Sequence, residues 1–387
     1  MIDYRTQGRL PAKPHTVFRG PDGAIAHEHC FTRDGFDGPF AILYHQHPPQ
    51  AHGEGESVGP LWPTAIERPN GATEPLRRRH LRTQDLDAEA GPWSGRRPLL
   101  FNDDLTIGVV KPTRVDEDFF SNGDGDDCLF ILDGGGTLIS PFGRLEFGAG
   151  DYLVVPRAVV HRFELNDGPQ QWLWMECRSG LRIPNQYRNT VGQLCMDAPY
   201  SHRDFRSPVL PEARETEECV VVTKRRDRFT RHRLKHSPLD VLGWDGLVYP
   251  FVFPISRFSA KAGQVHLPPT VHGTFATGRS LLCSFVPRAV DFGDGAIPCP
   301  YPHSNVDVDE VLFYCDGDFT SRRGIDAGSM SFHPAGVPHG PHPGAYEASI
   351  GVREVAETAV MIDTFQPLKV TALSTPVEAT SYDETWF

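Results

Sequence analysis

Apolar residues in this chain fall in short islands rather than long stripes. The first half carries Phe40-Ala41-Ile42-Leu43-Tyr44, Leu99-Leu100-Phe101, Cys128-Leu129-Phe130-Ile131-Leu132, Tyr152-Leu153-Val154-Val155 and Trp172-Leu173-Trp174-Met175. The second half continues with Cys219-Val220-Val221-Val222, Leu281-Leu282-Cys283-Ser284-Phe285-Val286 and Val311-Leu312-Phe313-Tyr314. Gly, Pro, Asp and Asn bound these islands, and most are too short for a helix, so they predict strands and turns. Spacing near ten residues suits a sandwich or jelly roll. Residues 204–218, rich in Pro, Glu and Arg, read as a short helix or an irregular crossing.

Composition agrees with that pattern. The 387 residues include 37 Gly and 35 Pro, well above the roughly 12% expected of the pair in an average protein. Both weaken helix interiors, which excludes a long-helix bundle. A hydrophobic fraction of 39% still suffices for a core. The net charge of −12 argues against nucleic-acid and anionic-membrane partners. Arg77-Arg78-Arg79-His80 is the local exception and reads as a solvated or salt-bridged loop. No run of about 18 apolar residues exists to span a membrane. Met1-Ile2-Asp3-Tyr4-Arg5 has no apolar signal core, and the eight cysteines form no CxxC pair. A soluble cytoplasmic protein is expected.

An internal repeat organises the chain. Residues 150–161 and 328–339 both follow G-x5-P-x4-H, from Gly150 through Pro156 to His161 and from Gly328 through Pro334 to His339. Upstream of each, an acidic residue precedes apolar residues and an Asp-Gly: Asp127 before Asp133-Gly134, and Glu310 before Asp316-Gly317. G-x5-P followed by His resembles the second motif of cupins. The predicted fold is all-β, a duplicated cupin-type jelly roll or β-sandwich (a bicupin) with irregular loops. Residues 1–258 are expected to form an N-terminal β domain containing a degenerate cupin at about 118–180, and residues 259–387 the C-terminal cupin.

In the second copy, His303, Glu310 and His339 can meet as metal ligands. Two imidazoles and one carboxylate leave open positions, the facial arrangement of non-haem Fe(II) oxygenases. The same donors accept Mn, Co, Ni or Zn, and turn and strand residues with satisfied hydrogen bonds are the alternative. In the first copy Asp127 falls opposite Glu310, His161 opposite His339, and Phe120 opposite His303. A phenyl ring cannot ligate, so the first copy is expected to be a metal-free scaffold in which Asp127 and His161 hydrogen-bond.

Several blocks in order carry a more specific resemblance. They are Pro199-Tyr200-Ser201-His202-Arg203-Asp204-Phe205, Ser237-Pro238-Leu239-Asp240-Val241-Leu242-Gly243-Trp244, Tyr301-Pro302-His303-Ser304-Asn305 leading to Glu310, and Gly328 to Pro341. From about residue 120 to 350 the chain resembles homogentisate 1,2-dioxygenases, most of all their shorter bacterial members. The resemblance implies Fe(II) held by His303, Glu310 and His339, with His266 as the acid–base residue. It places His333 beside the metal or substrate, where a satisfied core histidine is the alternative, and Tyr301 next to the site. His272 lines the pocket or sits on a loop. Phe319 stands where members often carry a tyrosine. The His303-to-Glu310 gap is one residue longer than usual, and the stretch from His266 to His303 is shorter.

The implied reaction opens homogentisate with O₂ to maleylacetoacetate, in tyrosine and phenylalanine catabolism. The implied partners are a small aromatic substrate and O₂, and the implied assembly is a homo-oligomer, trimers pairing into hexamers. Two alternatives stand beside it. One keeps the chemistry with another hydroquinone or hydroxylated aromatic acid. The other is a non-oxidative metal-binding bicupin, an isomerase or a binding protein.

Overall fold

The apolar islands become strands. Cys128–Leu132 lies within Asp126–Asp133, Tyr152–Val155 within Asp151–Val155, Trp172–Met175 within Gln171–Cys177, and Val311–Tyr314 within Asp309–Gly317. Their apolar runs are continuous because these are central strands covered on both faces. The computed structural model describes residues 2–317, 319 and 324–386.

Two large antiparallel sheets dominate. The first runs in the order Phe251–Pro254, Asp151–Val155, Asp126–Asp133, Gln171–Cys177, Leu105–Val110, Arg97–Phe101 and Lys369–Val370. Gly143–Gly148, Gly135–Ser140 and Arg162–Leu165 form a three-stranded companion sheet. The second large sheet runs Gly273–Ala276, Ser280–Phe285, Glu357–Thr364, Asp309–Gly317, Ser329–His333 and Arg79–Arg82. Among the described residues the α-helical content is a single turn, Ala345–Ala348. The architecture is the expected all-β cupin duplication.

The two large sheets exchange strands. Arg79–Arg82, from the N-terminal portion, pairs with Ser329–His333, and Lys369–Val370 adds to the first sheet at Arg97–Phe101. Arg79 and His80 of the basic run open the Arg79–Arg82 edge strand, while Arg77 and Arg78 lie in the loop before it. The charges of the run are paired: Arg77 and Arg79 with Glu378, Arg79 also with Glu74, and Arg78 with Asp383. The buried Tyr152 hydroxyl, 2.9 Å from Ser284 Oγ, ties one sheet to the other. Residues 205–218 follow a 3-10 turn at His202–Asp204 and contain no helix, so they form an irregular crossing. That crossing is bridged to the barrel at Arg206–Val252 and Val209–Arg144.

The repeat has a geometric basis. Gly150 and Gly328 both sit at φ 83°, a left-handed turn conformation that favours glycine. Pro156 and Pro334 lack an amide hydrogen, and each follows the last residue of its strand. The chain then turns back, so the repeat histidine forms a two-residue bridge: His161 with Phe120 and His339 with His303. Both bridges exchange two backbone hydrogen bonds of 2.8–2.9 Å.

Candidate metal centre

The His303–His339 bridge brings two imidazoles to the end of the strand carrying Glu310. Ligand atoms of His303, Glu310 and His339 all lie within 4.8 Å of one another. His303 Nε2 is 3.8 Å and His339 Nε2 3.5 Å from the Glu310 carboxylate. Each imidazole turns its other nitrogen to a carbonyl: His303 Nδ1 to Tyr301 O at 3.2 Å, and His339 Nδ1 to Val337 O at 3.0 Å. A carbonyl only accepts, so Nδ1 carries the proton and Nε2 presents its lone pair.

This donor set fits a divalent cation. Three lone-pair donors face one another, and His339 Nε2 is buried without a hydrogen-bond partner. Such an orphan costs ~1–3 kcal/mol unless something satisfies it. Burial opposes the Glu310 charge, yet with no metal in place the imidazoles of His303, His333 and His339, as proton donors, hold its carboxyl well below the usual carboxylate range. The side chain of His303 is 30% exposed and that of His339 0%, so the site opens on the His303 side.

His333 lies directly across the sheet from Glu310. Its Nδ1 donates to Glu310 Oε1 at 2.8 Å, and its ring stacks on His339 at 4.6 Å. Behind it, Tyr382 OH lies 3.5 Å from His333 Nε2. Trp386 donates its indole N–H to Gly340 O and lies under Arg78. The other cross-strand neighbour of Glu310 is Asp363. Burial and the Glu310 charge push its carboxyl up to about 7.

The remaining sequence candidates divide. Tyr301 is half-exposed at the mouth, its ring 6.3 Å from His303 and 4.9 Å from His266. His266 is partly exposed, and its Nδ1 is 3.0 Å from Asp291. His272 instead points into the core between Phe258 and Phe285, where burial and then Arg288 pull its pKa down to about 4. Phe319 packs on Tyr314, 5.0 Å between rings, beside Tyr382 rather than on the ligands. Asp291, Asp363, Tyr382 and Trp386 were not marked by any motif in the sequence.

The first unit repeats the frame with different contents. Arg96, fully buried, makes two hydrogen bonds of 2.8–2.9 Å to Asp127. Its guanidinium lies 4.9 Å from Trp174, 5.1 Å from Phe120 and 5.4 Å from Trp62. A fixed cation thus pairs with the carboxylate that stands in the place of Glu310. His161 keeps the same Nδ1 contact, 2.9 Å to Val159 O, and burial lowers its pKa to about 4. Among the described residues, one other group brings three potential ligands together, Asp124, Glu176 and Asp227. Lys224 Nζ already fills it, at 2.7, 2.8 and 2.9 Å from the three carboxylates.

Fold and site define a duplicated cupin with one candidate metal centre. Comparison with known proteins narrows this. Residues 103–255 match the family model described as homogentisate 1,2-dioxygenase N-terminal. The chain is 34% identical over its whole length, and that of the relative, to the "Putative dioxygenase" of Saccharolobus solfataricus. It is 28% identical to the homogentisate 1,2-dioxygenase of Bradyrhizobium diazoefficiens over 69% of this chain and 61% of that protein. The match thus spans less than two thirds of that enzyme. A cupin 2 conserved barrel domain protein from Leptotrichia buccalis superimposes with TM-score 0.33 and 10% identity, over 74% of this chain and 96% of its own. The chain belongs to the homogentisate 1,2-dioxygenase family. No helix among the described residues is long and apolar enough to cross a membrane.

Proposed function

We propose that the protein is an Fe(II)-dependent ring-cleaving dioxygenase that opens homogentisate with O₂ to give maleylacetoacetate. The convergence of His303, Glu310 and His339, with both Nε2 lone pairs turned toward the carboxylate, carries this reading. Fe(II) held there supplies open positions for a ring hydroxyl and O₂ together and a route for charge between them, overcoming the slow reaction of triplet O₂ with a closed-shell ring. His303 and His339 bind through Nε2 while their carbonyl contacts keep the rings from turning. His333 holds the Glu310 carboxylate in place. His266 takes the ring-hydroxyl proton at Nε2, since Nδ1 is committed to Asp291, and this raises the electron density of the ring. Tyr301 packs against His266 at the open side, where an aromatic substrate would enter.

Anaerobically prepared protein given Fe(II) and homogentisate should consume one O₂ per ring, with a new absorbing ene-dione product. Absence of uptake with homogentisate, together with uptake on another hydroquinone, would overturn the substrate and keep the chemistry. That second reading has one observation behind it: the full-length relative is named a dioxygenase with no substrate in its name. Full occupancy by Zn or Mn, with no uptake on any aromatic, would leave the non-oxidative bicupin.

A further inference from the structure

Asp291 is joined to the loop around His266 by three side-chain contacts. Its Oδ2 lies 3.0 Å from His266 Nδ1 and accepts the Leu267 amide at 3.3 Å; its Oδ1 accepts the Gly263 amide at 3.1 Å. Phe292 N–H closes the link by donating to Gly263 O at 2.9 Å. Its own segment is anchored by the short pairing of Arg288–Ala289 with Glu354–Val355, and by Val290 N–H donating to Arg353 O. The Asp291 side chain is only 15% exposed, although His266 itself is 39% exposed. A carboxylate so held is a firmer reference point than the histidine it touches.

We propose that Asp291 is the positioning residue of the acid–base group: it fixes His266 in the Nδ1–H tautomer and leaves Nε2 as the proton acceptor. A carboxylate offers only lone pairs, so its imidazole partner must carry the proton on the contacting nitrogen. An imidazole oriented by a third group is the recurring arrangement of an activated base. The two backbone amides keep the carboxylate from rotating away, and the Tyr301 ring, 63° to the imidazole plane, limits its other motion. The assignment rests on His266 acting as base in the proposed reaction, so it is tested by a readout independent of turnover as well.

Asp291→Asn and Asp291→Ala separate the charge of the side chain from its acceptor role. An asparagine that keeps its oxygen on His266 Nδ1 and the Leu267 amide removes only the charge, whereas alanine removes the acceptor that holds the proton on Nδ1. In the full chain loaded with diamagnetic Zn(II), ¹⁵N resonances of the imidazole that vanish in His266→Gln should show protonated Nδ1 in the native protein. They should lose that pattern in Asp291→Ala. With Fe(II) and homogentisate, Asp291→Ala should lower kcat ~100-fold with metal content unchanged. The double variant with His266→Gln should be no slower than His266→Gln alone. An unchanged tautomer in Asp291→Ala, or a double variant slowed by both factors, overturns the assignment. Failure of the native protein to turn over homogentisate would overturn the proposed reaction, while the ¹⁵N pattern still decides the tautomer.

Discussion

Glu310 and His333 face each other across adjacent strands, and the His333 Nδ1–H donates to the carboxylate at 2.8 Å. The same pair of positions in the first unit holds Asp127 opposite Val155. A valine cannot orient a carboxylate, so this hydrogen bond belongs to the unit with the candidate metal centre. Groups that orient a ligand typically contribute about 10–100-fold in metal affinity. His333→Ala should weaken metal binding by that factor in a chelator competition, while the far-ultraviolet circular dichroism is retained. Unchanged affinity would make His333 a packing residue only.

Glu310→Ala and Asp127→Ala should have opposite consequences. Loss of Glu310 leaves two imidazoles, and metal content should fall to near zero. Loss of Asp127 strands the Arg96 guanidinium among Trp62, Phe120 and Trp174, with no carboxylate to match it. Breaking a buried pair in this way costs ~3–5 kcal/mol. Asp127→Ala should therefore lower the urea midpoint strongly and leave the metal-to-protein ratio unchanged. The reverse pattern would move the metal to the first unit.

The repeat histidines His161 and His339 were legible because a turn has to be spelled locally. Gly, then Pro, then His at fixed spacing describes a strand end, a reversal and a bridge within twelve residues, and both copies fold that way. Asp291 and Asp363 carried no such signal. Each reaches its partner through strand pairing or loop packing between segments far apart in sequence, and a lone acidic residue in a loop or strand looks like many others. Arg96 was hidden for the same reason: it stands 31 residues before Asp127. His272 and Phe319 show the opposite failure. Proximity in sequence suggested the site, but the 3-10 turn Pro269–His272 aims the imidazole into the core.

Stability should fall as pH drops from 6.5 toward 5. His29, His80, His161 and His272 are wholly or largely buried, and desolvation is the main cause holding each near pKa 4, with His45 adding to it for His29, Arg82 for His80, Arg96 for His161 and Arg288 for His272. The ordinary value is about 6.5. Between those values the unfolded chain binds four protons that the folded one refuses, so unfolding becomes easier as acidity rises. Asp363, pushed up to about 7, opposes this by one proton. The net of three protons corresponds to about 4 kcal/mol per pH unit. Asp116, Asp151 and Asp309, also raised by burial, blunt the effect at the acid end. Urea melts at pH 7, 6 and 5 should show the decline, and equal midpoints would refute it.

Ala158 and Gly336 occupy the same step of the repeat, eight residues after Gly150 and Gly328. Each donates its amide at 2.7 Å to the carbonyl of an asparagine, Asn122 or Asn305. Both residues have positive φ, 64° for Ala158 and 81° for Gly336. The left-handed conformation costs a residue with a Cβ ~1–2 kcal/mol, whereas glycine there costs ~0.4–1 kcal/mol more in unfolded-chain entropy than alanine. The strain exceeds the entropy, so Ala158→Gly should stabilise the protein by about 0.5 kcal/mol. At Gly336 no atom lies within 4 Å of where a Cβ would sit, so the cost of Gly336→Ala is backbone strain alone. That variant should lose a similar amount and keep its metal. Opposite shifts of the urea midpoint for the two exchanges would show that the repeat shares one backbone requirement, met by glycine only in the copy that carries the ligands. Shifts of the same sign would remove that requirement from one copy.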